Sequence, residues 1–274
     1  MADPQAQPGV RQPLWLQDLA GAWVFYSVLP AWPAVAPRFE RIARFAPWIG
    51  LVIGALQALL WLLSSGWLPP LTQAALVVAL GLWLSGGLHA DGVLDTADGL
   101  AAGPRLLEAM ADSRVGAAGV QAFALLLLLR LGALLALAAA LPPALVACTL
   151  LLVAVWGRIS PVLAIACFPY LRPQGGSAAF HSRGRRSLLR ELRPALLLLA
   201  LLAVLLLVAN HGAVGGWLLP LLLPALPAIV LPLALGRRLG GHTGDTYGWC
   251  VEWSETAGLL LCGLVVSAAG SPAG

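Results

Sequence analysis

Residues 86–99 read Gly-Gly-Leu-His-Ala-Asp-Gly-Val-Leu-Asp-Thr-Ala-Asp-Gly, and long runs of Leu, Ala and Val lie on either side of them. Three aspartates and one histidine fall within ten residues here, although the whole chain of 274 residues has only 12 acidic residues. Ionisable groups beside membrane-type apolar sequence are costly to place, and they mark functional sites by default. This segment is therefore the first candidate for a site.

The composition predicts an integral membrane protein. The chain is 60% hydrophobic and 10% charged, with a mean hydropathy of +0.88, whereas a soluble domain has about 25% charged residues. We expect an all-α, polytopic helical bundle that forms a single domain over residues 1–274. Residues 1–13 are polar with three prolines and lack the form of a cleaved signal peptide. We expect them to form a flexible tail and the first helices to remain in the mature protein.

Hydropathy predicts about seven transmembrane helices. A spanning helix needs about 20 mostly apolar residues. The expected spans are at about 47–65, 71–88, 120–141, 144–168, 194–210, 217–235 and 256–269. The preceding segment, Leu14 to Leu29, contains Gln17 and Asp18 together with tryptophans, so we expect it to be a helix at the membrane interface.

The arginines predict which side of the membrane each loop faces. All 16 basic residues are Arg, and the loops 66–70, 142–143 and 211–216 contain none. The loops on the opposite face contain Arg38, Arg41, Arg44, Arg105, Arg114, Arg172, Arg183, Arg185, Arg186, Arg190, Arg193, Arg237 and Arg238. Cytoplasmic loops carry the excess Arg, so we expect the polar loops in the cytoplasm and the C-terminus outside. Membrane orientation accounts for the basic charge, and no nucleic acid partner is expected.

The acidic segment has the spacing of a metal site. In a helix, Asp91, Asp95 and Asp98 would share one face because they are four and three residues apart. Bare carboxylates this close repel one another, and a divalent cation removes the conflict. Because all the ligands are oxygens, Mg²⁺ or Mn²⁺ would suit them. The alternative is a solvated acidic loop. His89 could bind a substrate phosphate or hydrogen-bond the backbone at the helix end.

Residues 104–116 form a second polar segment. Pro104 is well placed to open a short helix, which sets Glu108 and Asp112 four residues apart. We expect Asp112 to be a fourth metal ligand or the general base, and Arg114 to bind phosphate through its guanidinium. For Glu108, an ordinary ion pair is an equal alternative.

Residues 240–248 form a third, glycine-rich segment. Such a turn exposes backbone N–H groups that can hold an anion, although the nucleotide P-loop pattern is absent. Asp245, Glu252 and Glu255 follow at helical spacing, and we expect substrate contacts from Thr243, Gly244, Asp245, Glu252 and Glu255. Two arginines fall inside predicted spans. Arg158 lies beside Pro161 and small residues that could open a polar cavity, so it either contacts substrate or has an internal partner, the latter being favoured for Arg130.

Carboxylates, arginines and glycine turns on one membrane face suit phosphoryl transfer. A cation would neutralise a pyrophosphate while a hydroxyl attacks in line and a carboxylate takes its proton. No Ser-His-Asp, Cys-His or redox-cofactor pattern competes with this interpretation. The four cysteines also lack metal-ligand spacing.

The same segments resemble a known family. The chain is similar to cobalamin synthase (adenosylcobinamide-GDP ribazoletransferase) at residues 89–99, 112–116 and 240–245, at Glu252 and Glu255, and more weakly at 29–33, 47–50 and 156–158. These segments occur in the family's order over nearly the whole chain. Val93-Leu94 and Val28 depart from the family pattern, but neither is at a proposed ligand.

The resemblance implies a membrane enzyme that joins adenosylcobinamide-GDP with α-ribazole or its 5′-phosphate. The products would be adenosylcobalamin or its phosphate and GMP, with Mg²⁺ as cofactor. By position, Asp91, Asp95, Asp98 and Asp112 would be metal ligands, with Asp98 and Asp112 also catalytic. Asp245 and its turn would complete the site, beside the substrate contacts expected above from His89, Arg114 and Arg158. The implied location is the bacterial cytoplasmic membrane, and a homo-oligomer or an association with other corrinoid-pathway enzymes stays open.

Two other functions compete with this one. Asp95-Thr96-Ala97-Asp98-Gly99 is similar to the start of the CDP-alcohol phosphotransferase motif, although the later part of that motif is absent. An ion-coupled transporter could use the same acids, but transport sites lie near the bilayer midplane on broken helices. Here the acids are predicted at span ends on one face.

Overall fold

The computed structural model describes residues 12–172, 180, 187–209 and 215–270. The helices are α1 (Leu14–Tyr26), α2 (Ala46–Ser64), α3 (Pro70–Leu84), α4 (Leu88–Ala101), α5 (Leu106–Ala109), α6 (Ala117–Ala140), α7 (Pro143–Cys167), α8 (Leu188–Ala209), α9 (Gly215–Leu222), α10 (Ala225–Leu239) and α11 (Gly244–Gly270). Short 3-10 turns precede α2 and α5. No β-strand occurs in these residues, which confirms the all-α prediction. Most of the expected N-terminal tail and Arg183, Arg185 and Arg186 lie outside the described residues.

The described part of the chain has six helices that are long and apolar enough to cross a membrane. A bent pair, α3 with α4, makes the number up to seven if it counts as one span, so the prediction of a polytopic bundle is confirmed. The N-terminal helix α1 has 13 residues and is too short to cross a bilayer, which needs about 20 residues. Its position at the interface stays a prediction.

The second predicted span ends earlier than the hydropathy indicates. Helix α3 stops at Leu84, and the chain turns by 90° into α4. The turn is made at Gly86 and Gly87, which have φ values of +63° and +72°. Residues with a Cβ rarely adopt this left-handed conformation. The acidic segment is therefore a separate helix set across the end of α3 rather than a loop that continues it.

The seventh predicted span begins earlier than expected. Helix α11 starts at Gly244, and its apolar stretch extends to Ala269. Hydropathy predicts a start near residue 256. The structure places Glu252 and Glu255 inside the helix, where arginines on neighbouring helices compensate their charge.

Close helix packing in the centre of the bundle depends on small residues. Helices α2 and α7 meet at Gly50 and Gly54, where added Cβ atoms would lie 2.4 Å from the Ala154 carbonyl oxygen and 2.8 Å from Leu151 Cα. Two glycines four residues apart allow this approach in membrane helices. Helix α11 packs against α4, α6 and α7, and α4 also packs against α6. The acidic helix is thus held by two long helices.

Candidate active site

Helices α4 and α11 cross in backbone contact. A Cβ atom on Gly92 would lie 2.4 Å from the carbonyl oxygen of Asp245, and one on Gly248 would lie 3.0 Å from His89 Cα. This crossing brings together two segments that are about 150 residues apart in sequence. Asp95 lies within electrostatic range of Asp91, Asp98, Asp245 and Arg172. The structure therefore assembles the predicted acids of α4 with the predicted acid of the glycine-rich turn.

Asp245 is held by two neighbours. Arg172 Nη1 is 3.2 Å from Asp245 Oδ2, and the Thr243 hydroxyl is 3.3 Å from the same oxygen. Arg172 also donates to the Leu107 carbonyl oxygen at 3.1 Å, so it connects α11 to α5. The arginine-rich segment from Tyr170 to Arg193 predicts a solvated cytoplasmic loop, with contact to anionic headgroups or a nucleotide as the alternative. Nothing in the local sequence distinguishes Arg172 from the other loop arginines.

The turn before α11 is closed by its own side chains. The Thr243 backbone N–H donates to Thr246 Oγ1 at 2.8 Å, and the Thr246 backbone N–H donates to Thr243 Oγ1 at 3.3 Å. His242 is also buried, with its ring nitrogens 3.0 Å from Thr246 Oγ1 and the Pro232 carbonyl oxygen. Thr243 is fully buried, so it positions the start of α11, while Gly244 and Asp245 line a cavity described below. Substrate binding by these three residues stays a prediction.

Asp98 caps a neighbouring helix. Its two carboxylate oxygens accept the backbone N–H groups of Gly116 at 2.7 Å and Gly119 at 2.8 Å, at the start of α6. An added Cβ on either glycine would lie within 2.6 Å of this carboxylate. A carboxylate at a helix N-terminus satisfies donors that have no partner inside the helix. The spacing on α4 did not reveal this contact, because the donors belong to α6.

Asp112 forms an ion pair with Arg114 in the loop before α6. Arg114 binds its carboxylate through the backbone N–H at 3.0 Å, Nε at 3.0 Å and Nη2 at 2.6 Å. These hydrogen bonds lower the pKa of Asp112 to about 2. In this arrangement Asp112 is a weak proton acceptor at neutral pH, and Arg114 is occupied by it rather than held ready for phosphate. The roles predicted for both residues would require this pair to open.

The four predicted metal ligands are not gathered at one point. Over the described ranges, no three His, Cys, Asp or Glu side chains form a group that could hold a metal ion. Asp98 caps α6, and Asp112 is bound by Arg114 in the loop before it. The donor chemistry of Asp91, Asp95 and Asp245 nevertheless fits Mg²⁺, which usually takes one or two carboxylates and completes its shell with water and substrate phosphates.

Two arginines and two glutamates form buried ion pairs between helices: Arg158 with Glu255, and Arg130 with Glu252 and Glu255. Arg158 Nη1 binds Glu255 Oε1, and Arg130 Nη2 lies 2.9 Å from Glu252 Oε2 and 3.7 Å from Glu255 Oε2. Arg130 also donates to Thr256 Oγ1 at 3.0 Å. Every one of these side chains is at most 10% exposed. The structure thus favours internal partners for both arginines, and substrate contacts from Arg158, Glu252 and Glu255 stay a prediction without a contact to support it.

A cavity opens beside the crossing of α4 and α11. Its volume is about 70 Å³, and it is lined by residues of α1, α4, α7 and the start of α11. Asp91 and Asp245 form its acidic part. The remaining wall includes Phe25 and Tyr26 of α1, which we did not predict, because α1 has no motif and lies far from the acids in sequence.

His89 lines this cavity and is 4% exposed. Its ring stacks on Tyr26, with centroids 6.2 Å apart and planes inclined by 29°. Its Nδ1 atom is buried without a hydrogen-bond partner among the described residues. This nitrogen therefore makes no backbone hydrogen bond among the described residues, and phosphate binding by His89 stays a prediction.

Comparison with known proteins identifies the family. The family model for cobalamin-5-phosphate synthase matches residues 18–263. An adenosylcobinamide-GDP ribazoletransferase of Prochlorococcus marinus strain MIT 9303 is 54% identical over 94% of this chain and 100% of its own length. A protein of the same name from Thermosynechococcus vestitus is 42% identical over 93% of this chain and 98% of its own. No solved structure matches the chain. The chain therefore belongs to the cobalamin-5-phosphate synthase family.

Proposed function

We propose that the protein joins adenosylcobinamide-GDP to α-ribazole or α-ribazole 5′-phosphate, and releases GMP. The product is adenosylcobalamin or its 5′-phosphate. The observation that carries the proposal is the crossing of α4 and α11, which sets Asp91, Asp95 and Asp245 beside a cavity in a chain of this family. The identity of the substrates comes from relatives named adenosylcobinamide-GDP ribazoletransferase.

The reaction is a phosphoryl transfer. A ribose hydroxyl of α-ribazole forms a bond to the cobinamide-side phosphorus of the pyrophosphate, and the bond from that phosphorus to the GMP oxygen breaks. GMP leaves with the bonding electrons, and a carboxylate of the site accepts the hydroxyl proton. Such reactions depend chiefly on positioning and on neutralising charge. Arg172, which holds Asp245, contributes positive charge at the same place.

Mg²⁺ is part of the proposal. Asp91 and Asp95 are one helical turn apart on α4, and Asp245 of α11 lies within electrostatic range of both. One or two of these carboxylates would hold the ion together with the substrate pyrophosphate, and the ion would neutralise the phosphate oxygens. Gly92 and Gly248 have no side chains that would project between α4 and α11 beside these carboxylates.

We also propose that the site faces the cytoplasm of a bacterial inner membrane. The start of α11, the end of α7 and helix α4 meet at the end of the bundle where the arginine-containing loops lie. An excess of Arg is typical of cytoplasmic loops. Nucleotide-bearing substrates made in the cytosol would reach the cavity directly from that side.

The test is turnover by the purified protein in detergent or liposomes. With Mg²⁺, adenosylcobinamide-GDP and α-ribazole should yield a cobalamin and GMP in equal amounts, and chelation of the metal should stop the reaction. An active preparation that ignores these substrates and turns over CDP-diacylglycerol would establish the CDP-alcohol phosphotransferase alternative instead. Ion flux in proteoliposomes without metal-dependent turnover would establish a transporter.

A further inference from the structure

The segment that follows α7 is fixed to the turn before α11. The Leu171 backbone N–H donates to the His242 carbonyl oxygen at 2.8 Å, and the His242 backbone N–H donates to the Pro169 carbonyl oxygen at 3.0 Å. A Cβ atom on Gly241 would lie 2.6 Å from the same Pro169 oxygen, so the close approach of the two segments depends on this glycine. The backbone beside Arg172 is therefore held in place by contacts that do not involve the Arg172 side chain.

The guanidinium of Arg172 binds two partners through two different nitrogens. Nη1 lies 3.2 Å from Asp245 Oδ2, and Nη2 donates to the Leu107 carbonyl oxygen at 3.1 Å. Because a guanidinium is planar and rigid, the contact at one nitrogen fixes the direction of the other. The Leu107 carbonyl thus holds the group in the orientation in which it meets Asp245. A lysine would carry the same charge on a single nitrogen at the end of a flexible chain, without this fixed pair of directions.

The contacts of Asp245 are concentrated on one of its two carboxylate oxygens. Arg172 and the Thr243 hydroxyl, which is 3.3 Å away, both contact Oδ2, and neither contact uses Oδ1. Carboxylates that bind metal ions are generally hydrogen-bonded to a neighbouring group that orients them. The hydrogen bonds at Oδ2 therefore leave Oδ1 available to an ion within electrostatic range of Asp91 and Asp95.

We propose that Arg172 is a positioning residue, which fixes Asp245 through Oδ2 and leaves Oδ1 to bind Mg²⁺. Both the ion and the role of Asp245 as one of its ligands come from the proposed function, on which this role of Arg172 rests. Arg172 does not touch the ion in this arrangement. Its positive charge by itself opposes the binding of a cation, whereas its hold on the carboxylate favours it. The informative variant therefore keeps the charge and changes only the hydrogen bonds.

The first measurement is Mn²⁺ binding to the purified full-length protein in detergent, followed by electron paramagnetic resonance without any substrate. Arg172→Lys keeps the charge and loses the two-point hold. The Kd for Mn²⁺ should rise about ten-fold, at the lower end of the effect of removing a group that orients a metal ligand. If Arg172 formed only a structural ion pair, lysine would replace it and the Kd would stay within about two-fold of the wild-type value, which would overturn the inference.

A double-mutant cycle tests whether Arg172 acts through Asp245. Asp245→Asn should itself raise the Kd for Mn²⁺, since the ion loses a charged ligand. Adding Arg172→Lys to Asp245→Asn should change the Kd by less than about two-fold, because both changes act on the same contact. A full second loss in the double variant would overturn the inference, as would an unchanged Kd in Asp245→Asn.

The matched control is Arg238→Lys. Arg238 is exposed in the last turn of α10, directly before the glycine-rich turn. This variant should bind Mn²⁺ like the wild type, and an equal loss of affinity there would overturn the role given to Arg172. Thermal unfolding shows that each variant is folded at the temperature of the measurement, as we expect for a conservative change at a side chain that is 22% exposed.

The outcomes for Arg172 can be separated from those for the proposed function. Mn²⁺ binding with the expected coupling between Arg172 and Asp245, in a protein that forms no cobalamin and GMP, would contradict the proposed function alone. Formation of cobalamin and GMP by the wild type, together with an unchanged Kd for Mn²⁺ in Arg172→Lys, would contradict the positioning role alone.

Discussion

At the scale of single residues, three aspartates with similar sequence signals have different surroundings. Asp91 is exposed and lines the cavity. Both carboxylate oxygens of Asp98, by contrast, accept hydrogen bonds from backbone N–H groups at the start of α6. Asp112 is bound by Arg114. A carboxylate whose oxygens already accept hydrogen bonds is a weaker ligand for a metal ion and a weaker proton acceptor. The hydrogen-bond partners of these aspartates therefore distinguish residues that the sequence motif makes look equivalent.

We predict different effects for two aspartate variants, one on activity and one on stability. Asp91→Asn should lower kcat at least about a hundred-fold, the usual scale for a group that takes part in the chemistry, with little change in Tm. Asp98→Ala should destabilise the fold by about 1–2 kcal/mol, since a helix loses its cap. Turnover assays and thermal unfolding of both purified variants check this.

The pair of variants serves as its own control. A stable Asp91→Asn enzyme with full activity would remove Asp91 from the site. An unchanged Tm in Asp98→Ala would show that the cap at Gly116 and Gly119 contributes little to stability.

At the scale of elements, the site exists because two helices touch. Gly92 on α4 and Gly248 on α11 remove the side chains that would hold the helices apart. The buried Arg130–Glu252 and Arg158–Glu255 pairs tie α11 to α6 and α7 further along the same helix. Breaking a buried pair by removing one partner is strongly destabilising. These residues therefore position α11, and hence Asp245, without lying in the cavity.

Gly92→Ala should separate α4 from α11. The new Cβ would lie 2.4 Å from the Asp245 carbonyl oxygen, and overpacking of this kind costs about 1–3 kcal/mol. We expect a lower Tm and a loss of activity, because Asp245 moves away from the acids of α4. Unfolding curves and kcat measurements on the purified variant check both effects.

Gly132→Ala is the matched control for this variant. Gly132 lies within α6 and is exposed, and a Cβ there has no atom within 4 Å. The change should leave activity as it is and keep or raise Tm, since Ala is the better helix former. Equal behaviour of the two variants would mean that the crossing of α4 and α11 tolerates a side chain.

At the scale of the whole molecule, charge and topology divide the bundle into two ends. The site lies at the end with the arginine-containing loops, and the loop between α2 and α3 lies at the other end. The excess of Arg predicts that the site end faces the cytoplasm. Leucine side chains such as Leu128 and Leu197, 68% and 69% exposed, provide the apolar outer surface that a bilayer would cover.

Cysteine labelling in whole cells tests this orientation. The background should have Cys148, Cys167, Cys250 and Cys262 replaced by Ala, because Cys167 is exposed. Trp67→Cys, at a 71% exposed position between α2 and α3, should react with a membrane-impermeant maleimide in intact cells. Ser113→Cys, in the loop before α6, should react only after the cells are opened. The reverse labelling pattern would invert the proposed topology.

Much of this molecule follows from local properties of the chain. Hydropathy predicts the apolar helices and the arginines divide the loops between two faces. The order of the polar motifs indicates the family. These signals are carried by residues within one helix or one loop, so they need no knowledge of packing. The acidic helix, the glycine-rich turn and their meeting on one face are recoverable in this way.

The remaining features depend on contacts between distant segments. The cap from Asp98 to α6, the pairing of Glu252 and Glu255 with Arg130 and Arg158, and the contact of α1 with His89 all cross from one helix to another. Whether a carboxylate binds a ligand, a backbone N–H or an arginine is set by which neighbour lies within hydrogen-bonding distance. Helix packing and the 90° turn at Gly86 and Gly87 determine which neighbour this is. The spacing of residues along one helix does not predict that neighbour.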